Sequence, residues 1–312
     1  MWLIKAGLSL LMKAMRAFRS ITGSKTNPTL TKRYTVRPTL VNRIFVPTTA
    51  QPGQKFPLLM FIHGGGFAIG EPSMDDTLNR HLADDHGFVV VSINYRKAPV
   101  NRFPVCVHDC AEIVRAVLAD HHESLPVDRT APVSLGGYSA GGNLALAVAQ
   151  LPGIKEHIRS LVPVYPVVDF TGKYKGPMRP LPDGKADPLS DIAPVFNWAY
   201  IPVGQDLADP LLSPIYASRE LLPQRTFFIT AEYDYLSYEA HTMARKLAGI
   251  ESEENVKEED GALCWEENKV KFRRVPGVIH GWTHMSKRGE EETRRRKGLD
   301  ELYKEIADWC KQ

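Results

Sequence analysis

Ser139 stands in the pentapeptide Gly137-Tyr138-Ser139-Ala140-Gly141, between the run Val133-Ser134-Leu135-Gly136-Gly137 and the helix-opening stretch Gly142-Asn143-Leu144-Ala145-Leu146. A G-x-S-x-G sequence between a strand and a helix is a sharp turn that holds the serine in a strained backbone and lifts its hydroxyl above the sheet. Side chains two residues to either side would collide there, hence the glycines. The following helix aims its N-terminus at the hydroxyl, which favours developing negative charge. A serine so placed is suited to attack a carbonyl once a base takes its proton. Three fixed positions in five also arise by chance, so a glycine-rich turn with an incidental serine is the competing reading.

Upstream, His63-Gly64-Gly65-Gly66-Phe67 follows the apolar run Leu58-Leu59-Met60-Phe61-Ile62. Acyl transfer places negative charge on a carbonyl oxygen, and backbone N–H groups preset toward that oxygen stabilise it. Glycines let the backbone come close without side-chain obstruction. A phosphate cradle would need the G-x-x-x-x-G-K-[ST] spacing, and the loop has no lysine in that place. The two motifs together, each after a strand, point to acyl transfer far more specifically than either alone. His63 is expected to fix the loop, not to act as the base.

Sites built on such a turn order their members along the chain as serine, acid, histidine. Of the histidines after Ser139, His157 precedes a strand and His241 lies within a helical pattern. His280 follows the expected strand Val270–Val275 and the turn Pro276-Gly277-Val278-Ile279. That is the carboxyl end of a strand, where catalytic groups gather in open α/β sheets. His284, four residues on, is the rival. For the acid, Thr226–Thr230 leads into Ala231-Glu232-Tyr233-Asp234-Tyr235-Leu236. Asp234 and Glu232 both fit, and either could instead cap the helix expected near Tyr238. Periodicity does not separate them.

The elements that must hold these groups are legible. Short apolar runs alternate with helical patterns, which predicts a mainly parallel sheet with helices on both faces. Strands are expected at Val41–Val46, Leu58–Ile62, Phe88–Asn94, Val133–Gly137, Ser160–Val164, Thr226–Thr230 and Val270–Val275. Helices are expected at Val105–Ala119, Gly141–Gln150, Tyr238–Leu247 and Glu290–Trp309. From Phe170 to about Leu222, prolines at 177, 180, 182, 188, 194, 202, 210 and 214 break the alternation. The segment is too long for a plain connection and reads as an excursion covering the carboxyl edge of the sheet. The acidic stretch Glu251–Glu267 reads as a solvated loop. Glu290, Glu291 and Glu292 precede Arg294-Arg295-Arg296 by four residues, the spacing of helix-face ion pairs, so that basic run is not a targeting patch.

A chain of 312 residues with 43% hydrophobic and 24% charged residues can bury a large α/β core, and a net charge of +3 excludes a strongly basic nucleic-acid binder. Cys106, Cys110, Cys264 and Cys310 lack metal-ligand spacing and suit a reducing, cytoplasmic setting. Lys5 and Lys13 bracket an uncharged run too short to span a bilayer, and no cleavage site of a secretory signal peptide follows it. Ile4, Leu8, Leu11, Met15 and Phe18 recur at helical spacing among cations. A helix packed on the body is the preferred reading over one making weak membrane-surface contact. Both a monomer and a dimer stay open.

The chain resembles the hormone-sensitive-lipase-like family of α/β hydrolases, which includes carboxylesterases and arylacetamide deacetylases. The resemblance runs from about Thr35 to the C-terminus. Besides the two glycine motifs it rests on Tyr95-Arg96-Lys97-Ala98-Pro99 with Phe103-Pro104, Asp209-Pro210 with Ser213-Pro214, Asp234-Tyr235-Leu236 and His280-Gly281-Trp282. It implies an α/β-hydrolase fold, a triad of Ser139, Asp234 and His280, and an oxyanion hole from the N–H groups of Gly65, Gly66 and Ala140. It further implies a catalytic core of residues 35–169 and 223–312, with a cap formed by residues 170–222 and the N-terminal helical segment 1–34. The family commonly has an acid where Tyr138 stands, a leucine at Lys97, a proline at Tyr235 and an aspartate at Tyr238, with Glu239 retained. Tyr138, Tyr235 and Trp282 have two equal readings, aromatic rings that crowd the site or ordinary packing. The reading is a serine carboxylic-ester hydrolase for small to medium hydrophobic esters, acetyl esters among them, working without metal or cofactor. The alternatives are a lyase or cyclase using the same pocket, or a ligand receptor on the same fold.

Overall fold

The computed structural model describes residues 26–120, 125–251, 258–259 and 261–312. The expected N-terminal helix around Ile4–Phe18 and the centre of the acidic stretch lie outside them. Ten strands among the described residues form one sheet: β1 (Leu30–Lys32), β2 (Asn42–Phe45), β3 (Leu58–Ile62), β4 (Val89–Ile93), β5 (Val133–Tyr138), β6 (Ser160–Val164), β7 (Arg225–Ala231), β8 (Glu258–Glu259), β9 (Ala262–Glu267) and β10 (Val270–Val275). Their spatial order is β1-β2-β4-β3-β5-β6-β7-β10-β9-β8. The six from β4 to β10 in that order run parallel, and the flanking pairs are antiparallel.

Strands buried on both faces read as continuous apolar runs, and β3 shows why. Leu58, Met60 and Ile62 enter one core, while Leu59 and Phe61 enter the other. The first core is closed by α2 (Val105–Asp120), α3 (Ala140–Val148) and α5 (Ser237–Ala248). The second is closed by α1 (Asp76–Asp84) and α6 (Gly289–Cys310). Three layers result. Every residue of α3 is buried, as befits a helix wedged behind the central strand. At the start of α6, Glu292 pairs with Arg295 and Arg296, so part of the basic run is neutralised along the helix face.

The expected strands and helices form with ends shifted by no more than about two residues. One reading is corrected. Ala262–Glu267 is not a solvated loop but pairs antiparallel with β10. Leu263 turns inward and Trp265 packs half-buried against the core, while Cys264 and Glu266 face solvent, a period of two that the surrounding acids obscure. The segment between β6 and β7 folds around α4 (Leu189–Tyr200) and is tied back to the body. The side-chain amides of Asn143 and Gln150 donate to the carbonyls of Leu212 and Pro210, each at 2.9 Å. Among the described residues no helix is long and apolar enough to cross a membrane.

Candidate active site

Ser139 links β5 to α3 with φ +55 and ψ −118, a conformation costly for any residue with a side chain. Its N–H donates to the Val164 carbonyl at 2.9 Å, and its own carbonyl accepts the Asn143 N–H at 3.1 Å. Helix and neighbouring strand therefore clamp the strained residue from both sides. The flanking glycines make the turn fit. A Cβ on Gly137 would lie 2.3 Å from the Gly141 carbonyl oxygen, and one on Gly141 would lie 2.0 Å from that of Ile62.

The loop after β10 brings His280 over the hydroxyl, with Nε2 at 2.9 Å from Ser139 Oγ. The ring's Nδ1 is 3.0 Å from Asp234 Oδ2. Asp234 Oδ1 accepts the Leu236 N–H at 2.8 Å, so this carboxylate orients the ring and also caps the turn into α5. Burial works against a proton on His280, but the charge and hydrogen bond of Asp234, with the charge of Asp187 behind them, raise its pKa above the ordinary value. Glu232, the alternative acid, faces elsewhere. It accepts the Gly277 N–H at 2.8 Å and pairs with Arg179 at 3.2 Å.

The loop after β3 lies across from the turn. Gly66, with φ +57, and Ala140 line the same cavity as Ser139. Among the described residues, the N–H groups of Gly65, Gly66 and Ala140 donate to nothing, as donors waiting for an oxyanion should. A Cβ on Gly66 would lie 2.4 Å from the Phe196 ring of α4, so the loop and the insertion meet there. His63 is fully buried, stacked on Tyr95 at 4.5 Å, with Nδ1 at 2.7 Å from the Gly64 carbonyl. Burial, together with the charge of Lys97, pushes its pKa well below the ordinary value and keeps the imidazole neutral. Lys97 itself donates to Asn94 Oδ1 at 2.9 Å, with its ammonium 3.7 Å from the centre of the Tyr95 ring.

The cavity measures about 60 Å³ and is walled by Phe67, Val167, Phe170, Leu189, Phe196 and Leu236, with Asp169, Lys175, Asn197, Tyr235 and Glu239 as polar lining. The 170–222 insertion supplies several of these walls. It also supplies Asp187, a buried carboxylate whose two oxygens accept the N–H groups of Leu189 (3.1 Å) and Tyr235 (3.0 Å). Burial raises its pKa, the charge of Asp234 adds to the rise, and the two N–H bonds and His280 oppose it. Sequence reasoning missed Asp187, although Asp187-Pro188 before an apolar stretch is a helix-start signal.

A second histidine–carboxylate pair lies behind the first. His284 Nε2 is 2.7 Å from Asp75 Oδ1, and Nδ1 is 2.8 Å from Thr283 Oγ1 and 3.2 Å from the Tyr165 hydroxyl. Tyr165, with φ +38, sets its ring edge against His280 at 4.8 Å. The rival histidine is thus engaged one layer away from Ser139. Of the two readings of the aromatic rings, ordinary packing holds for Tyr138 and Trp282. Tyr138 and Trp282 are buried in the second core, with Tyr138 against Phe61 and the edge of His284, and Tyr235 alone of the three lines the cavity. Side chains alternate across β5, so the residue before Ser139 must face away from the site.

A family described as the alpha/beta hydrolase fold matches residues 59–284. An ethyl acetate hydrolase of Pseudomonas putida is 30% identical over 259 residues, 81% of this chain and 74% of that protein. An arylesterase of Saccharolobus solfataricus is 33% identical over 196 residues, 61% of either chain. Among solved structures, an esterase of the archaeon Pyrobaculum calidifontis superposes with a TM-score of 0.69 at 29% identity, covering 91% of this chain and 83% of the other. The chain belongs to the hormone-sensitive-lipase-like carboxylesterase family of α/β hydrolases.

Proposed function

We propose that this chain hydrolyses short-chain carboxylic esters through Ser139, His280 and Asp234. The observation that carries this reading is the His280 ring, whose two nitrogens lie 2.9 Å from Ser139 Oγ and 3.0 Å from Asp234 Oδ2. Ser139 Oγ attacks the ester carbonyl while His280 Nε2 takes its proton. Asp234 keeps the proton of the neutral ring on Nδ1 and stabilises the imidazolium that forms. The N–H groups of Gly65, Gly66 and Ala140 receive the oxyanion. His280 then protonates the departing alkoxide, and water, deprotonated by the same nitrogen, releases the acid from the acyl-serine.

Residues 170–222 act as a cap that walls the acyl site from solvent. A cavity of about 60 Å³ admits a chain of a few carbons, and the relative named for ethyl acetate supports the same scale. The test is turnover of p-nitrophenyl acetate, butyrate and octanoate by wild type and Ser139→Ala. Hydrolysis of the short esters that falls by about 10³-fold or more in the variant agrees with the proposal. Equal turnover in both proteins, or an inert wild type, refutes it.

A further inference from the structure

Glu239 is 2% exposed and projects from α5 into the lining of the cavity that holds Ser139. Its Oε1 does a complete structural task, accepting the N–H groups of Val168 at 2.7 Å and Asp169 at 3.2 Å just beyond β6. Among the described residues nothing bonds to Oε2. Phe67, Phe170, Phe196 and Leu236 supply the apolar part of the surrounding wall. Oε2 is thus left open toward the cavity beside the nucleophile, where a bound ligand can reach it. Anchoring the loop would need only one oxygen.

We infer that Glu239 forms a polar subsite beside Ser139, which takes a hydrogen-bond-accepting oxygen on the acyl chain and so selects short oxygenated acyl esters, such as oxo-acyl esters, over plain alkyl ones. The inference rests on the esterase reading and names its substrate class. Burial raises the carboxyl to about 8, the two N–H bonds oppose the rise, and the negative charges of Asp169 and Asp234 add to it. At neutral pH the group is therefore a carboxylic acid. With Oε1 occupied by two donors, its proton sits on Oε2 and points at the cavity. Asp169 does not compete for that proton, because its oxygens accept from Thr171 and the Tyr174 N–H. Lys175, the cation on the same lining, is engaged with Tyr235, its ammonium 5.3 Å from that ring's centre.

The test compares p-nitrophenyl 4-oxopentanoate with p-nitrophenyl pentanoate, each normalised to its own hydroxide-catalysed rate. The quantity read is the ratio of kcat/KM values, from which the titration of His280 cancels. Wild type should favour the oxo ester by about 5–10-fold at pH 6.5, the worth of one hydrogen bond. The preference should fade as pH passes 8 and the carboxyl ionises. In Glu239→Gln the amide oxygen still accepts the two N–H groups and the amide nitrogen still donates into the cavity, so the preference should persist and lose its pH dependence. Glu239→Met should abolish it; if that variant fails to fold, the pH profiles of wild type and Glu239→Gln decide. Turnover of the pentanoate ester with no preference for the oxo ester, or a Glu239→Gln profile that still falls above pH 8, overturns the inference. No turnover of either ester overturns the esterase reading instead.

Discussion

Replacing Asp234 with asparagine tests the hydrogen-bond logic of the site more sharply than deleting it. Asp234 is 3% exposed, with Oδ1 on the Leu236 N–H and Oδ2 on His280 Nδ1. An asparagine has one oxygen, and the Leu236 N–H requires an acceptor. The amide therefore keeps its oxygen on Leu236 and turns its NH2 toward His280. Facing a donor, Nδ1 must become the acceptor, so the ring proton moves to Nε2 and points at Ser139 Oγ. In that tautomer the ring cannot take the serine proton. Flipping the amide restores the tautomer but sets two buried donors against each other, at a cost of about 1–3 kcal/mol, and still lacks the charge. The expected loss in kcat is about 10⁴-fold, roughly 5.5 kcal/mol of barrier, with circular dichroism and melting temperature near wild type. The assay is kcat and KM for p-nitrophenyl acetate across pH 6–10. A variant within tenfold of wild type at pH 7 refutes the tautomer argument.

Other outcomes follow from the same geometry. Because Asp187 helps raise the pKa of His280, and the neutral ring is the active base, wild-type kcat/KM should rise with pH through a midpoint above 6.5. Asp187→Asn should move that midpoint down, read from pH–rate profiles. His284→Ala should lower kcat by at most about tenfold, against about 10³-fold or more for His280→Ala. It should also destabilise the fold by about 1–3 kcal/mol in urea titrations, because Asp75 is left buried without its hydrogen-bond partner. Gly141→Ala should cost about 3 kcal/mol or more, since the new Cβ would sit 2.0 Å from the Ile62 carbonyl oxygen. Calorimetry should show melting lowered by about 5 °C or more.

Regular apolar patterning made the core legible in sequence. The runs at Leu58–Ile62 and Ser160–Val164 are strands end to end because both faces are buried and nothing polar interrupts them. Ser139, His280 and the glycine loop stood out as candidates because the chemistry proposed for them demands particular residues just after a strand, and the fold brings His280 to Ser139. Asp234 and Glu232 were separable only by direction: the turn after β7 sends Asp234 to His280 and Glu232 to Gly277 and Arg179. β9 was hidden because flanking acids swamp the alternation of Leu263 and Trp265. The Asp75–His284 pair was hidden for another reason. Its members are 209 positions apart and meet only through the fold.

The central claim is that Ser139 is the nucleophile, and covalent labelling reads it directly. The full chain is treated with a fluorophosphonate, and the modified residue is located by mass spectrometry of its peptides. The account predicts a single adduct on Ser139, absent from Ser139→Ala and strongly slowed in His280→Ala. An adduct on another residue, or ester turnover by a wild-type protein that takes no label, contradicts it.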